Sequence, residues 1–394
     1  MDWYEVASLL FGAFCVAILG IPVATTRYRN PRMRRPTFLV PGLGALLLGA
    51  LTFAGCAKVA SPRGWMPPIA WDSFLLVSRK TGEVSLINIE DGTPVWRFPT
   101  DNDVRPIAFY ARPVATQDRV YVGGYDGNVY ALDKRDGRLA WTFKAGSSVI
   151  GGLALEEVTQ SLLVPTDDGR LYALDLASGE VRPGWPFRSE KGIWGAPLAQ
   201  GNTVYVGSLD GKVYAIDAAS GAERWHVDLG TGVISDPVLA GGLLLLGATD
   251  RRLHAIDVAS GRLAWSTSWR AGNWFWAKPF VQEETVYAAN LDGRLYALGL
   301  ADGALKWIFE GEDAQPVRSH PVVVEGVLVV VARDGKVYGL EPETGQKRWG
   351  PLALDEEVLA DPLVKGGHVI LVTRQGQIFR VDPGKGQVEA IAVR

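Results

Sequence analysis

Cysteine is nearly absent from this sequence. Only Cys15 and Cys56 occur in 394 residues, and both lie in or beside apolar N-terminal segments. The chain beyond Cys56 therefore has no disulfide and no thiolate metal site. Histidine is scarce as well: His226, His254, His320 and His368 stand far apart, in no His-x-x-His or His-Glu-x-x-His spacing, so no local zinc signature exists. An excess of charge of one sign is also missing. A net charge of −3 argues against nucleic acid as a partner, because such binders need a basic field. Neither a Gly-x-Ser-x-Gly elbow nor a phosphate loop is present, which leaves no enzyme motif. What the chain does have is 46 glycines and 14 tryptophans beside 3 methionines. That mixture points to an all-β protein with many tight turns.

The first sixty residues read as membrane-related. Residues 6–24 form an uncharged run just long enough to cross a bilayer. Arg27, Arg29, Arg32, Arg34 and Arg35 follow without an acidic residue, and a second apolar run covers Phe38 to Ala54. The positive-inside rule keeps the arginines in the cytoplasm and sends everything after Cys56 outside. Three readings share that topology. Residues 33–55 are a signal peptide beginning at Met33, or the second helix of a hairpin, or a hairpin helix that is still processed at Cys56. Cys56 resembles the lipid-acceptor cysteine of bacterial lipoproteins: Ala54 and Gly55 fit that pattern, and Phe53 departs from its usual aliphatic residue. The expected product is a membrane-anchored protein on the extracytoplasmic side, with residues 56–67 as tether and 68–394 as the folded domain.

From Lys80 onward the chain repeats itself. DGNVYALDKRDGRLAW ends at Trp141, DGKVYAIDAASGAERW at Trp225 and DRRLHAIDVASGRLAW at Trp265. Related units end at Trp96, Trp185, Trp307 and Trp349, and a last unit has Ala390 where the tryptophan belongs. Successive tryptophans are 45, 44, 40, 40, 42 and 42 residues apart. Each unit parses into four short strands. Around Trp225, Ala196-Pro197-Leu198-Ala199 opens the first strand, Thr203–Gly207 is the second, and Lys212–Asp217 the third. Glu223–Val227 is the fourth. Asp210-Gly211 supplies the hairpin turn, and alternation puts Val213 and Ala215 on one face and Tyr214 and Ile216 on the other. Four-stranded units at this period predict a β-propeller of eight blades, or seven if the first and last units merge. The aspartates of the Asp-Gly turns (Asp126, Asp168, Asp210, Asp292 and Asp334) are one per blade and read as turn-capping residues.

The recurring Ala-x-Asp-x-x-x-Gly-x-x-x-Trp resembles the tryptophan-docking motif of the pyrroloquinoline-quinone (PQQ) propeller family. It is complete at Ala131/Asp133/Gly137/Trp141, Ala215/Asp217/Gly221/Trp225 and Ala255/Asp257/Gly261/Trp265. It is altered at Leu86/Asn88, at Gly299, at Gly339/Glu341 and by a two-residue insertion before Trp185. The resemblance implies that each matched tryptophan packs between adjacent blades. In repeat type, blade count and start, the chain also resembles the propeller lipoprotein of the outer-membrane β-barrel assembly machinery. That likeness implies a non-catalytic scaffold with protein partners and no cofactor. A second likeness, to PQQ-dependent dehydrogenases, implies PQQ and calcium near the axis, with Trp194 or Trp276 as floor and Asp236 or Asp361 as base. Those enzymes carry longer inserted loops and often an adjacent cysteine pair, which are missing here.

The starts of the first strands lie nearest a propeller's axis, which makes them the candidate binding residues. One place before the opening proline stand Arg112, Ala196, Asp236, Lys278, His320 and Asp361. Three places before it stand Tyr110, Trp194, Ile234, Trp276, Arg318 and Leu359. Aromatics are densest in GNWFWAKP, which holds Trp274 and Trp276. Two readings of this mouth stand: a plugged axis whose charges pair with one another, and a recognition site for a ligand sensed by an anchored ectodomain.

Overall fold

In the computed structural model, residues 64–79, 81–100, 107–266 and 270–393 are described. The segments 6–24 and 33–55 and the lipidation candidate Cys56 lie outside them. Among the described residues no helix is long and apolar enough to cross a membrane.

The strands form eight antiparallel four-stranded sheets, each built from strands in sequence order. The chain is thus an eight-bladed propeller, and the first and last units stay separate. The fourth blade shows the pattern, with strands Leu198–Gln200, Thr203–Gly207, Lys212–Asp217 and Glu223–Asp228. Strand alternation sends the two faces of each blade into different cores. Tyr214 and Ile216 pack with Leu163 and Leu171 of blade 3, whereas Val213 and Ala215 pack with Leu244 and Ile256 of blade 5. Cores of this kind fill every gap between neighbours. Leu75, Val77 and Ile87 of blade 1 meet Ile370, Val372 and Ile378 of blade 8 and close the ring.

The tryptophans join the blades by a lock that explains the motif. Gly137 has φ +71°, and a β-carbon there would sit 2.7 Å from the Trp96 ring of the preceding blade. Only glycine allows both the left-handed backbone and the indole's approach. The indole N–H then donates to a backbone carbonyl of the following blade: Trp96 to Lys134 at 3.1 Å, Trp141 to Leu176 at 3.3 Å and Trp265 to Leu300 at 3.0 Å. Trp307 donates to Pro342 at 3.1 Å and Trp349 to Pro383 at 2.8 Å. Trp225 packs against Gly261 and Tyr205. Trp185 is buried against Gly221, but its N–H has no partner among the described residues. Beside it the Gly184 carbonyl, part of the insertion, shares the Gly221 slot, 2.8 Å from where a β-carbon would stand. In blade 7 the motif's alanine is Gly339, and a β-carbon there would lie 2.1 Å from Trp349.

Ordered packing begins earlier than Pro68, the first residue of the domain in the sequence reading. Met66 is 1% exposed in the core between blades 1 and 2, so 64–67 belong to the propeller and not to the tether. Met66 has no counterpart in the other units, where the same place holds alanine, glycine or serine, which hid it from a reading based on period.

Candidate functional site

The segments leading into the innermost strands are extended, and their burial alternates. In blade 6, Phe275, Ala277 and Pro279 are buried, while Trp274, Trp276 and Lys278 are half-buried; in blade 7, Val317, Ser319 and Pro321 alternate with Arg318 and His320 in the same way. This alternation holds the half-buried side chains in two tiers around the axis.

The inner tier is ionic. Arg112 of blade 2 spans the axis, with Nη1 3.0 Å from Asp236 Oδ2 of blade 5 and Nη2 2.6 Å from Asp361 Oδ2 of blade 8. The Ala196 N–H donates to the other Asp236 oxygen at 2.7 Å, and the His320 N–H to the other Asp361 oxygen at 3.1 Å. His320 Nδ1 lies 3.0 Å from that same oxygen without an aligned hydrogen bond. Burial by itself would raise the Asp361 carboxyl, but His320 and Arg112 outweigh it and hold the group far below the ordinary carboxylate range. Burial likewise opposes the Arg112 charge, and Asp236 and Asp361 reverse that effect and raise it. Lys278 is the exception in this tier. Burial and then the Arg112 guanidinium push its ammonium below the ordinary lysine range, with partial compensation from Asp236 and Asp361.

The outer tier is aromatic. Trp65 meets Tyr110 edge-on at 4.4 Å, and Tyr110 meets Tyr125 at 5.5 Å. The Arg318 guanidinium lies 4.7 Å from the Trp65 ring centre and 4.6 Å from that of Trp276, a double cation–π contact. Trp276 in turn meets Trp194 at 6.1 Å, and the Trp194 indole donates to Asp167 Oδ1 at 2.7 Å. Beside this belt Arg333 and Arg374 share the Glu357 carboxylate, at 2.9 Å and 2.5 Å.

Tyr110, Arg112, Trp194, Asp236, Trp276, Arg318, His320 and Asp361 are thus brought into one mouth, and Lys278 stands among them. Trp274 is half-buried and makes no ring contact with the belt among the described residues. Sequence reasoning missed Trp65, although it stands three places before Pro68, as Tyr110 does before Pro113. It also missed Tyr125 and Asp167, which sit in turns between second and third strands and reach the belt only through the fold. The Asp-Gly turns serve as caps: Asp126, Asp210, Asp292 and Asp334 each accept the N–H two residues on. Tyr214 donates to Asp210 at 2.7 Å and Tyr296 to Asp292 at 2.6 Å.

A family model described as Outer membrane protein assembly factor BamB matches residues 53–184, 182–310, 254–351 and 313–389. The chain belongs to this family. Within the BamB family it is 27% identical to the Outer membrane protein assembly factor BamB of Alkalilimnicola ehrlichii over 127 residues, 31% of this chain and 32% of that one. The alignments span about a third of the length of the curated relatives it matches. The crystal structure of BamB from Moraxella catarrhalis is similar at TM-score 0.66 and 20% identity, covering 79% of this chain and 92% of that one. A europium-containing methanol dehydrogenase reaches TM-score 0.64 at 13% identity, covering 81% and 82%. At these identities both likenesses concern the fold alone.

Proposed function

We propose that the chain is a non-catalytic interaction scaffold, held at the extracytoplasmic face of a membrane, that serves the assembly of outer-membrane β-barrel proteins. The observation that carries this reading is the BamB family match, which runs from residue 53 to residue 389 and so through all eight blades. The arginine-rich linker and Cys56 support the anchored, exported address. The mouth supports docking rather than chemistry, since aromatics and arginine are the residue types that recognition surfaces favour.

The dehydrogenase reading would need a PQQ–calcium centre on the axis. Calcium requires several oxygens turned toward one point. Asp236 and Asp361 instead turn theirs to Arg112, the Ala196 N–H and His320. These residues do not fit such a centre.

Two measurements test the proposal. The tagged full-length protein, captured from detergent-solubilised membranes, is expected to bring outer-membrane assembly proteins with it. Thermal unfolding is expected to show no shift at saturating PQQ plus Ca²⁺, because a bound ligand would raise stability with its concentration. Capture without any assembly protein, or a concentration-dependent rise in Tm, overturns the reading.

A further inference from the structure

We propose that the axial mouth captures a side-chain carboxylate of an extended acidic polypeptide, with Lys278 as its counter-ion and Trp194, Trp276 and Arg318 as its walls. The inference rests on the scaffold reading in taking the mouth as a docking face, and it adds the chemistry of what docks.

Lys278 is the surplus charge of the inner tier. The four oxygens of Asp236 and Asp361 are engaged by Arg112, the Ala196 N–H and His320. Lys278 makes neither a hydrogen bond nor an ion pair among the described residues, and it feels the like-charged Arg112 as well as Asp236 and Asp361 without bonding to any of them. A half-buried ammonium with three unused donors attracts an anion more strongly than an exposed lysine does, because water screens it less. Arg112 closes the axis beside it, so the anion comes from the outer side, through the aromatic tier. There Trp194 is held by Asp167 and Trp276 by Arg318, which makes the walls rigid before anything binds. A carboxylate on a short methylene stem suits this approach: its charge meets Lys278 while its stem lies along indole faces.

The rim extends the same preference. Arg333 and Arg374 both bind Glu357 beside the pit. Arg374 also bears electrostatically on Tyr110 of the belt. Guanidinium groups on the rim beside Lys278 suit an acidic segment, which can meet more than one of them, better than a single free acid.

The test uses the full-length protein and two labelled peptides of Gly/Ser context, one carrying glutamates and its twin carrying glutamines, with free glutarate as a third probe. By fluorescence anisotropy at low salt, the glutamate peptide is expected to bind about tenfold more tightly than its twin. Lys278→Met is expected to abolish that preference and Lys278→Arg to restore it, with Tm equal to or above wild type in the methionine variant. Equal binding of the twins, no binding of either, or a preference that survives Lys278→Met overturns the proposal. Lys278-dependent binding of glutarate without the peptide overturns the polypeptide as source and assigns the site to a small free acid. Capture of assembly proteins that survives Lys278→Met overturns this inference and leaves the scaffold reading standing. Peptide discrimination without captured assembly proteins does the reverse.

Discussion

Gly345 carries two constraints at once. Its φ is +70°, and a β-carbon would stand 2.5 Å from the Trp307 ring that docks on it. Gly345→Ala is therefore expected to cost about 1–3 kcal/mol, from backbone strain and overpacking together. The check is a lower urea midpoint with an unchanged slope, since the surface exposed on unfolding stays the same. At this scale the sequence was readable wherever a residue recurs with the period, as Gly137 and Trp141 do. It was not readable where a contact depends on a local detour. Nothing in the two extra residues before Trp185 told that the Gly184 carbonyl would share the Gly221 slot.

Among the elements, the seam between blades 8 and 1 stands apart. Ala390 occupies the tryptophan's place in the last unit, and a β-carbon on Gly92 of blade 1 would meet the Ala392 carbonyl instead of a ring. The aliphatic cluster of Leu75, Val77, Ile87, Ile370, Val372 and Ile378 holds this joint without an indole. Backbone amides of Leu363–Lys365, His368–Val372 and Ile69–Trp71 are accordingly expected to exchange faster than those of blades 4 to 6. Hydrogen-exchange mass spectrometry checks this, and uniform protection around the ring would contradict it. Strand limits were legible because alternation and Asp-Gly turns fix both ends of a hairpin: Thr203–Gly207 and Lys212–Asp217 coincide with the observed strands. The belt was legible only in part. Tyr110, Trp194 and Trp276 follow from counting back from a proline, whereas Tyr125 and Asp167 belong to turns whose neighbours are set by ring closure.

Across the whole molecule, Arg112 links blades that share no sheet and no adjacent core. Its guanidinium joins blade 2 to blades 5 and 8. Arg112→Met leaves both carboxylates half-buried without their cation, and a loss of about 2–3 kcal/mol is expected, below the 3–5 kcal/mol of a fully buried pair. The sign with pH follows from Asp361, whose folded pKa is depressed. In wild type its contribution is complete above the unfolded carboxylate value of about 4 and is lost as the pH falls below it. The variant's deficit relative to wild type is therefore largest near neutrality and narrows as acid protonates the stranded carboxylates. Denaturation curves at pH 7 and about pH 4 distinguish this from a simple packing defect, whose deficit would not change.

The lock between blades also bears on inheritance. Each period from the second to the seventh carries one tryptophan and the glycine slot for its predecessor's tryptophan, so such a unit is half of two joints. A recombination event between equivalent points of two repeats, wherever in the period it falls, adds or removes a whole number of complete joints. Such a lineage can change its ring size in single steps without ever producing an indole that has no slot. What then limits the number of blades is the geometry of closure alone.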